Sequence, residues 1–98
     1  MCIFVEIQDI FGNKLSLPEG RINHIKEKHP EIYVSSIKDS LSEPDYVIVS
    51  SVDKSIKIYY KKKGKYYIVV VINLSKKLVI TSFTSDKIKK GEIEWTKN

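Results

Sequence analysis

The sequence predicts an α+β fold in which two N-terminal helices pack on one face of a four-stranded antiparallel sheet. Apolar residues recur at helical spacing only in the first half of the chain, over residues 19–41. Strand-like apolar runs then follow one another from residue 46 to residue 84, separated by short turns. Because helices precede strands instead of alternating with them, the two kinds of element are expected to segregate.

Length and composition are those of one globular domain spanning residues 1–98. The chain is 42% apolar and 30% charged, which is too apolar for a disordered segment. The longest apolar run, Tyr66 to Ile72, has seven residues, too few to span a bilayer, so no membrane partner is expected. Cys2 is the only cysteine, which excludes an internal disulfide, and without a secretory signal the expected location is cytoplasmic.

A short hairpin is predicted before the first helix. Residues 2–7 have strand composition, residues 9–13 form a turn, and residues 14–17 form the short returning strand. Ser16 and Glu19 stand at the spacing of a capping box. Together with the intervening proline they predict a helix from Glu19 to about Lys28.

A second helix and four strands complete the predicted fold. His29 precedes Pro30 and is therefore biased away from helical geometry, so it ends the first helix. The second helix is predicted from Glu31 to about Leu41, with the proline at its first position. Strands are predicted over residues 46–50, 55–61, 66–72 and 78–84. The polar segment 85–98 carries Trp95 as a docking residue.

Both histidines of the chain, His24 and His29, lie at the end of the first helix and are the main candidates for chemistry. Arg21, His24 and Lys28 are spaced by three and four residues and share a helix face. Imidazole exchanges protons near neutral pH, which suits acid–base catalysis. The structural alternative is an ordinary surface histidine followed by an ordinary helix-end histidine. A spacing of five does not align two metal ligands on a helix, so no metal site or cofactor is expected.

Two further groups are candidates for substrate contacts. In the last strand, Thr81 and Ser82 point to opposite faces, so only one of these hydroxyls can hold a phosphate oxygen in a shared site. The alternative is ordinary strand composition. Around the hairpin, lysines interleave with tyrosines, as on surfaces that bind phosphates and stack bases, although a solvated turn has the same composition. These residues are Tyr59, Tyr60, Lys61, Lys62, Tyr66 and Tyr67.

The charge balance favours an anionic partner, nucleic acid before membrane. The net charge of +5 comes from sixteen lysines and a single arginine, Arg21, set against twelve acidic residues. Solubility alone accounts for such a balance equally well.

The order of short motifs resembles the phage-associated branch of the barnase–EndoU–colicin–RelE-like ribonucleases. The pieces that carry the resemblance are His24, His29-Pro30-Glu31, Pro44-Asp45-Tyr46-Val47, Tyr59-Tyr60-Lys61-Lys62, Tyr66 to Val71, and Val79-Ile80-Thr81-Ser82-Phe83. They cover roughly residues 20–85. The resemblance implies a metal-independent ribonuclease fold with its site in the cleft of the sheet. Lys28 stands where such sites carry arginine, and lysine lacks the bidentate fork of a guanidinium.

Taken together, these features predict a toxin-like or phage-effector-like endoribonuclease. His24 and His29, with Tyr60 as an alternative acid, would move protons while the ribose 2′-hydroxyl attacks phosphorus. Thr81 is the fourth catalytic candidate, as the hydroxyl that holds a phosphate oxygen. The substrate-binding candidates are Arg21, Lys28, Lys62 and Ser82. The expected partners are RNA and a cognate inhibitor protein, with the chain a monomer or a homodimer. The alternative function is a non-catalytic RNA- or protein-binding accessory protein on the same fold.

Overall fold

Two helices and seven strands make up the computed structural model, which describes residues 4–88 and 92–96. In chain order these elements are β1 (Phe4–Gln8), β2 (Lys14–Pro18), α1 (Glu19–Lys28), α2 (Val34–Ser42), β3 (Tyr46–Val49), β4 (Ile56–Lys63), β5 (Tyr66–Asn73), β6 (Leu78–Ser85) and β7 (Glu92–Thr96). The prediction of an N-terminal hairpin, two helices and then strands is therefore correct in its order.

The sheet is larger than predicted and is mixed. Its strand order is β1-β2-β6-β5-β4-β3-β7, so the expected four-stranded antiparallel sheet is wrong. The predicted strands, β3 to β6, form the middle of the sheet as an antiparallel meander. The hairpin extends this meander on one side through a single parallel pair between Ser16 and Leu78. On the other side β7 pairs with β3.

The additional strands belong to the sheet because each of them buries side chains against it. In the hairpin, Leu15 and Leu17 on β2 have no exposed surface. On β7, Glu94 accepts a hydrogen bond at 2.8 Å from the ammonium of Lys57, whose side chain is only 10% exposed. Trp95 packs partly buried against the main core, as its predicted docking role requires.

Apolar side chains cover both faces of the central strands. The larger cluster lies between the sheet and the helices and includes Ile25, Ile37 and Val70. A smaller cluster on the opposite face, which we call the second face, contains Ile48, Ile58, Tyr60 and Val69. Because Val69 and Val70 are both fully buried, the prediction that the run Tyr66 to Ile72 is a central strand covered on both sides is confirmed.

Helix α1 spans the predicted residues, but its cap differs from prediction, and α2 begins later than predicted. Pro18 occupies the N-cap of α1 with extended dihedrals and no side-chain capping bond, so the predicted capping box does not form. The Ser16 residue instead lies in β2, where its N–H donates to the carbonyl of Lys77 at 2.8 Å. The second helix begins at Val34, three residues later than predicted, because the chain first makes a turn closed by the Ile32 N–H and the His29 carbonyl.

A buried carboxylate, Asp9, ties the hairpin to the sheet. The residue is 5% exposed, and its oxygens accept from the backbone N–H groups of Phe11 and Asn13 and from the Asn13 amide. The fourth donor is the hydroxyl of Tyr59 on β4, at 2.5 Å. Burial, followed by the hydrogen bond and charge of Asp9, raises the pKa of Tyr59 well above its ordinary value.

Neither helix in the described part of the chain combines the length and apolar character needed to cross a membrane.

We expect Tyr59→Phe to lower the free energy of unfolding at pH 8 by about 1–3 kcal/mol, because the Asp9 carboxylate loses a buried donor. The raised pKa also gives a pH dependence. Above pH about 10 the unfolded tyrosine ionises while the folded one does not, so unfolding is favoured by up to about 1.4 kcal/mol per pH unit. Urea denaturation at pH 8 and pH 11 should therefore show the gap between wild type and variant narrowing as pH rises.

The matched control for this prediction is Tyr66→Phe, because Tyr66 is 42% exposed. This variant should unfold close to wild type at pH 8. A gap between wild type and Tyr59→Phe that stays constant or widens at alkaline pH would contradict the assignment of the Asp9–Tyr59 bond.

Candidate nucleic-acid interface

Three rows of side chains cross the second face of the sheet. Residues that are Cα partners on antiparallel strands point to the same face, so the strand register assigns the rows directly. The first row runs Thr81, Val71, Ile58 and Ile48; the second Phe83, Val69, Tyr60 and Tyr46; the third Ser85, Tyr67 and Lys62. Rows on one face lie two residues apart, or about 6.8 Å. Apolar side chains thus lie at one end of the face and polar ones at the other.

Tyrosine rings pack edge to face in the second and third rows. The Tyr67 ring lies 6.0 Å from that of Tyr60 at 90° and 6.3 Å from that of Tyr46 at 71°. Such pairs stabilise the orientation of each ring beyond the effect of burial alone. Tyr60 is 2% exposed, whereas Tyr46 and Tyr67 are partly exposed. The accessible part of the cluster is therefore its rim.

A cavity of about 420 Å³ opens where β6 ends. It is lined by Tyr60, Phe83, Ser85, Lys87 and Ile88. The Ser85 hydroxyl donates to the carbonyl of Lys87 at 3.0 Å, and the Lys87 N–H donates back to it at 3.2 Å, which bends the chain around the opening. Its volume lies within the range of ligand pockets in proteins.

His29 lies at the rim of the second face. It ends α1, with its backbone N–H donating to Ile25, and its ring centroid lies 6.2 Å from that of Phe83. Its Nδ1 is 3.8 Å from a carboxylate oxygen of Glu31, and the Thr84 hydroxyl donates to that same oxygen at 3.2 Å. The carboxylate thus lies between a hydroxyl and an imidazole.

Helix α1 runs along the part of β6 that β2 leaves unpaired. The guanidinium of Arg21 donates to the carbonyl of Ile80 at 3.2 Å, and eight residues later His29 meets Phe83. Eight helical residues rise about 12 Å, and the three strand residues from Ile80 to Phe83 rise about 10 Å, so the helix and the strand advance by similar distances. His24 and Lys28, both exposed, share the flank of Arg21 by their spacing.

The structure brings together some of the sequence-predicted site residues and separates others. Tyr60, Lys62 and Thr81 share the second face, and His29 lies at its rim. Ser82 points to the helix side, is fully buried and donates to the Val69 carbonyl at 2.7 Å, which leaves Thr81 as the accessible hydroxyl. Lys61, another lysine of the predicted hairpin group, is engaged within the protein, because its ammonium donates to the Glu43 carbonyl at 2.8 Å.

Sequence reasoning did not assign site roles to Glu31, Phe83 or Lys87. The sequence predicts Glu31 in the first turn of a helix, whereas it precedes α2 and lies beside His29. Phe83 lies two residues after Thr81 on the same strand and therefore points to the same face. The Lys87 position depends on the bend after β6, for which the sequence offers no signal.

Within residues 4–88 and 92–96 no group of three or more His, Cys, Asp or Glu side chains is placed to hold a metal ion. Comparison with known proteins finds no matching family model, no matching curated protein and no matching solved structure.

We expect Arg21→Ala to loosen α1 from β6, because the Ile80 carbonyl loses its side-chain donor. Amide hydrogen exchange should accelerate in α1, with smaller changes in the β4–β5 hairpin. The matched control is Lys26→Ala, which removes an exposed cation from the same helix. Equal exchange rates in α1 for Arg21→Ala and wild type would show that this contact does not dock the helix.

Proposed function

We propose that this protein is an endoribonuclease that cleaves RNA without a metal ion at the rim of the second face. The observation that carries the proposal is the position of His29, which contacts Phe83 beside the cavity while the Glu31 carboxylate lies 3.8 Å from Nδ1. A carboxylate at Nδ1 leaves Nε2 as the nitrogen that meets a substrate. The motif order that resembles the barnase–EndoU–colicin–RelE-like ribonucleases is a second support.

The proposed reaction is a transesterification followed by release. Nε2 of His29 takes the proton of the ribose 2′-hydroxyl, and the 2′-oxygen attacks the adjacent phosphorus. The bond from phosphorus to the 5′-oxygen breaks, and that oxygen receives a proton from His24 or Tyr60. The products are a 2′,3′-cyclic phosphate and a 5′-hydroxyl. Removal and donation of protons balance, so the step requires no further reactant.

Charge that builds on the phosphate during attack needs nearby donors. Lys62 on the third row and Lys87 at the cavity are ammonium groups on or beside the second face. Thr81 offers a hydroxyl in the first row, about 14 Å along the sheet from the row of Lys62, so it contacts a different part of the RNA. Lys28 adds a cation on the flank of α1. Ser82 is left out of the proposed site, because its hydroxyl is buried and donates to a main-chain carbonyl. Arg21 donates one N–H to the Ile80 carbonyl and keeps its other N–H groups for a phosphate.

A second candidate function is RNA binding without cleavage. The observation that favours it is the scarcity of guanidinium groups, because Arg21 is the only arginine of the chain and one of its N–H groups donates to the Ile80 carbonyl. Lysine supplies charge without bidentate geometry, which is sufficient for binding but weaker for transition-state stabilisation. In this case RNA retention would weaken steeply with salt and no product would form.

The test is incubation of the purified protein with end-labelled RNA in EDTA, followed by end-group analysis. Wild type should leave 2′,3′-cyclic phosphate ends. The double variant His24→Ala, His29→Ala should lose activity by about 10²-fold or more, because general acid–base catalysis typically supplies 10²–10⁴-fold. Asn23→Ala, an exposed change on the same helix, is the matched control and should retain activity.

Cleavage that survives in the double histidine variant would overturn this mechanism. Absence of cleavage by folded wild type, combined with salt-sensitive RNA retention, would favour the binding function instead.

A second variant tests the role of the carboxylate. Glu31→Gln keeps the size of the side chain and removes the negative charge 3.8 Å from His29 Nδ1. We expect the cleavage rate to fall severalfold, because the positive charge that develops on the imidazole during proton transfer then lacks a nearby carboxylate. An unchanged cleavage rate would show that Glu31 has no part in the reaction.

A further inference from the structure

The β4–β5 hairpin extends beyond both of its neighbouring strands. Pairing of β4 with β3 begins at Tyr60, and pairing of β5 with β6 ends at Tyr67, while the two hairpin strands continue to pair as far as Lys63 and Tyr66. The turn has only two residues, with Gly64 at φ 65°, as the first position of a type II′ turn requires. The hairpin is thus a short rigid arm.

Asp45 and Lys61 hold the base of this arm. The carboxylate of Asp45 accepts from the Lys62 backbone N–H at 2.6 Å, and the Lys61 ammonium donates to the Glu43 carbonyl at 2.8 Å. The arm itself, from residue 61 to residue 67, contains four lysines, two tyrosines and no acidic residue. Such a segment is complementary to a polyanion.

The arm carries one lysine–tyrosine pair on each face. Lys62 and Tyr67 are Cα partners, as are Lys63 and Tyr66, and successive residues of a strand point to opposite faces. Lys62 and Tyr67 lie on the second face, in one row with Ser85 of the cavity. Lys63 and Tyr66 lie on the opposite face. The two pairs have the same composition and differ in which face they occupy.

Only the second-face pair is continuous with the proposed site. Its Tyr67 ring is held by two neighbouring tyrosines, so its orientation is fixed before any ligand arrives. A ring fixed in this way stacks on a base with little further loss of side-chain entropy. The adjacent Lys62 ammonium is exposed and lies within reach of a phosphate on the same strand of nucleic acid.

We propose that Lys62 and Tyr67, in the row that continues to Ser85, bind a nucleotide that neighbours the cleaved one, with its base stacked on Tyr67 and its phosphate against Lys62. This assignment rests on the proposed function, since it takes RNA as the ligand. It makes the substrate single-stranded RNA, because bases in a duplex are paired and stacked and cannot lie on a tyrosine ring.

The test compares two double variants with identical composition. Lys62→Ser, Tyr67→Leu changes the second face, and Lys63→Ser, Tyr66→Leu changes the opposite face with the same loss of charge. The probe is a fluorescent 2′-O-methyl oligoribonucleotide, which lacks the attacking hydroxyl and reports binding alone. We expect the second-face variant to raise Kd about tenfold or more, because stacking on one aromatic ring contributes about 1–3 kcal/mol. The opposite-face variant should change Kd by less than about threefold.

Strand preference is measured with the same probe annealed to its complement. Wild type should bind the single strand at least about tenfold more tightly than the duplex. An equal rise in Kd in the two double variants would overturn the assignment of this row as a nucleotide-binding site and would indicate a diffuse effect of charge. Tighter binding of the duplex would overturn the assignment of single-stranded RNA as the substrate. Should the Tyr67 variant fail to fold, Lys62→Ser against Lys63→Ser repeats the comparison with two exposed residues.

Failure of this inference is distinguishable from failure of the proposed function. Cleavage by wild type together with equal binding losses in both double variants would overturn the row and leave the ribonuclease. Face-selective, single-strand binding by a wild type that cleaves no RNA would support the row and overturn the ribonuclease. No binding of the probe by wild type would overturn the row.

Discussion

The buried carboxylate of Asp9 is the contact on which the arrangement of the N-terminal half depends. It closes the turn between β1 and β2 and accepts the Tyr59 hydroxyl of β4. The hairpin has only one direct residue pair with the meander, between Ser16 and Leu78, so strand pairing alone would leave its orientation poorly determined. A charged hydrogen bond to a central strand is directional and costly to leave unmade inside a core. The direction in which the chain leaves β2, and hence the position where α1 starts, follows from this hydrogen bond.

From that start, a helix takes the place that another strand would occupy beside β6. Proline at residue 18 ends β2, since it lacks an N–H for further pairing, and α1 begins at the next residue. Arg21 then reaches the Ile80 carbonyl, and the helix ends with His29 against Phe83, a residue of the second face. The same geometry that covers the strand edge also brings an imidazole to the tyrosine rows. Fold and proposed chemistry thus share one element.

Local sequence pattern predicted the meander, the hairpin and the bounds of α1, because turn residues and side-chain periodicity are local signals. The extent of the sheet was not predictable in the same way, since the pairing of β7 with β3 and of Ser16 with Leu78 joins segments far apart in the chain. In the site, the alternation of side chains along a strand placed Thr81 and Ser82 on opposite faces of the sheet but did not indicate which hydroxyl is accessible. That depends on the helices lying over the Ser82 face, which is a tertiary feature.

The sheet register also determines the order in which structure can form. The β4–β5 hairpin closes through a two-residue turn, and β6 adds to it across another short turn, so these contacts cost little chain entropy. The parallel pair between Ser16 and Leu78 closes a loop that contains both helices and three strands. Contacts of such separation form slowly. We expect the meander to form the nucleus of folding and the Asp9 turn to dock late, so that the N-terminal hairpin limits the rate at which the complete sheet assembles.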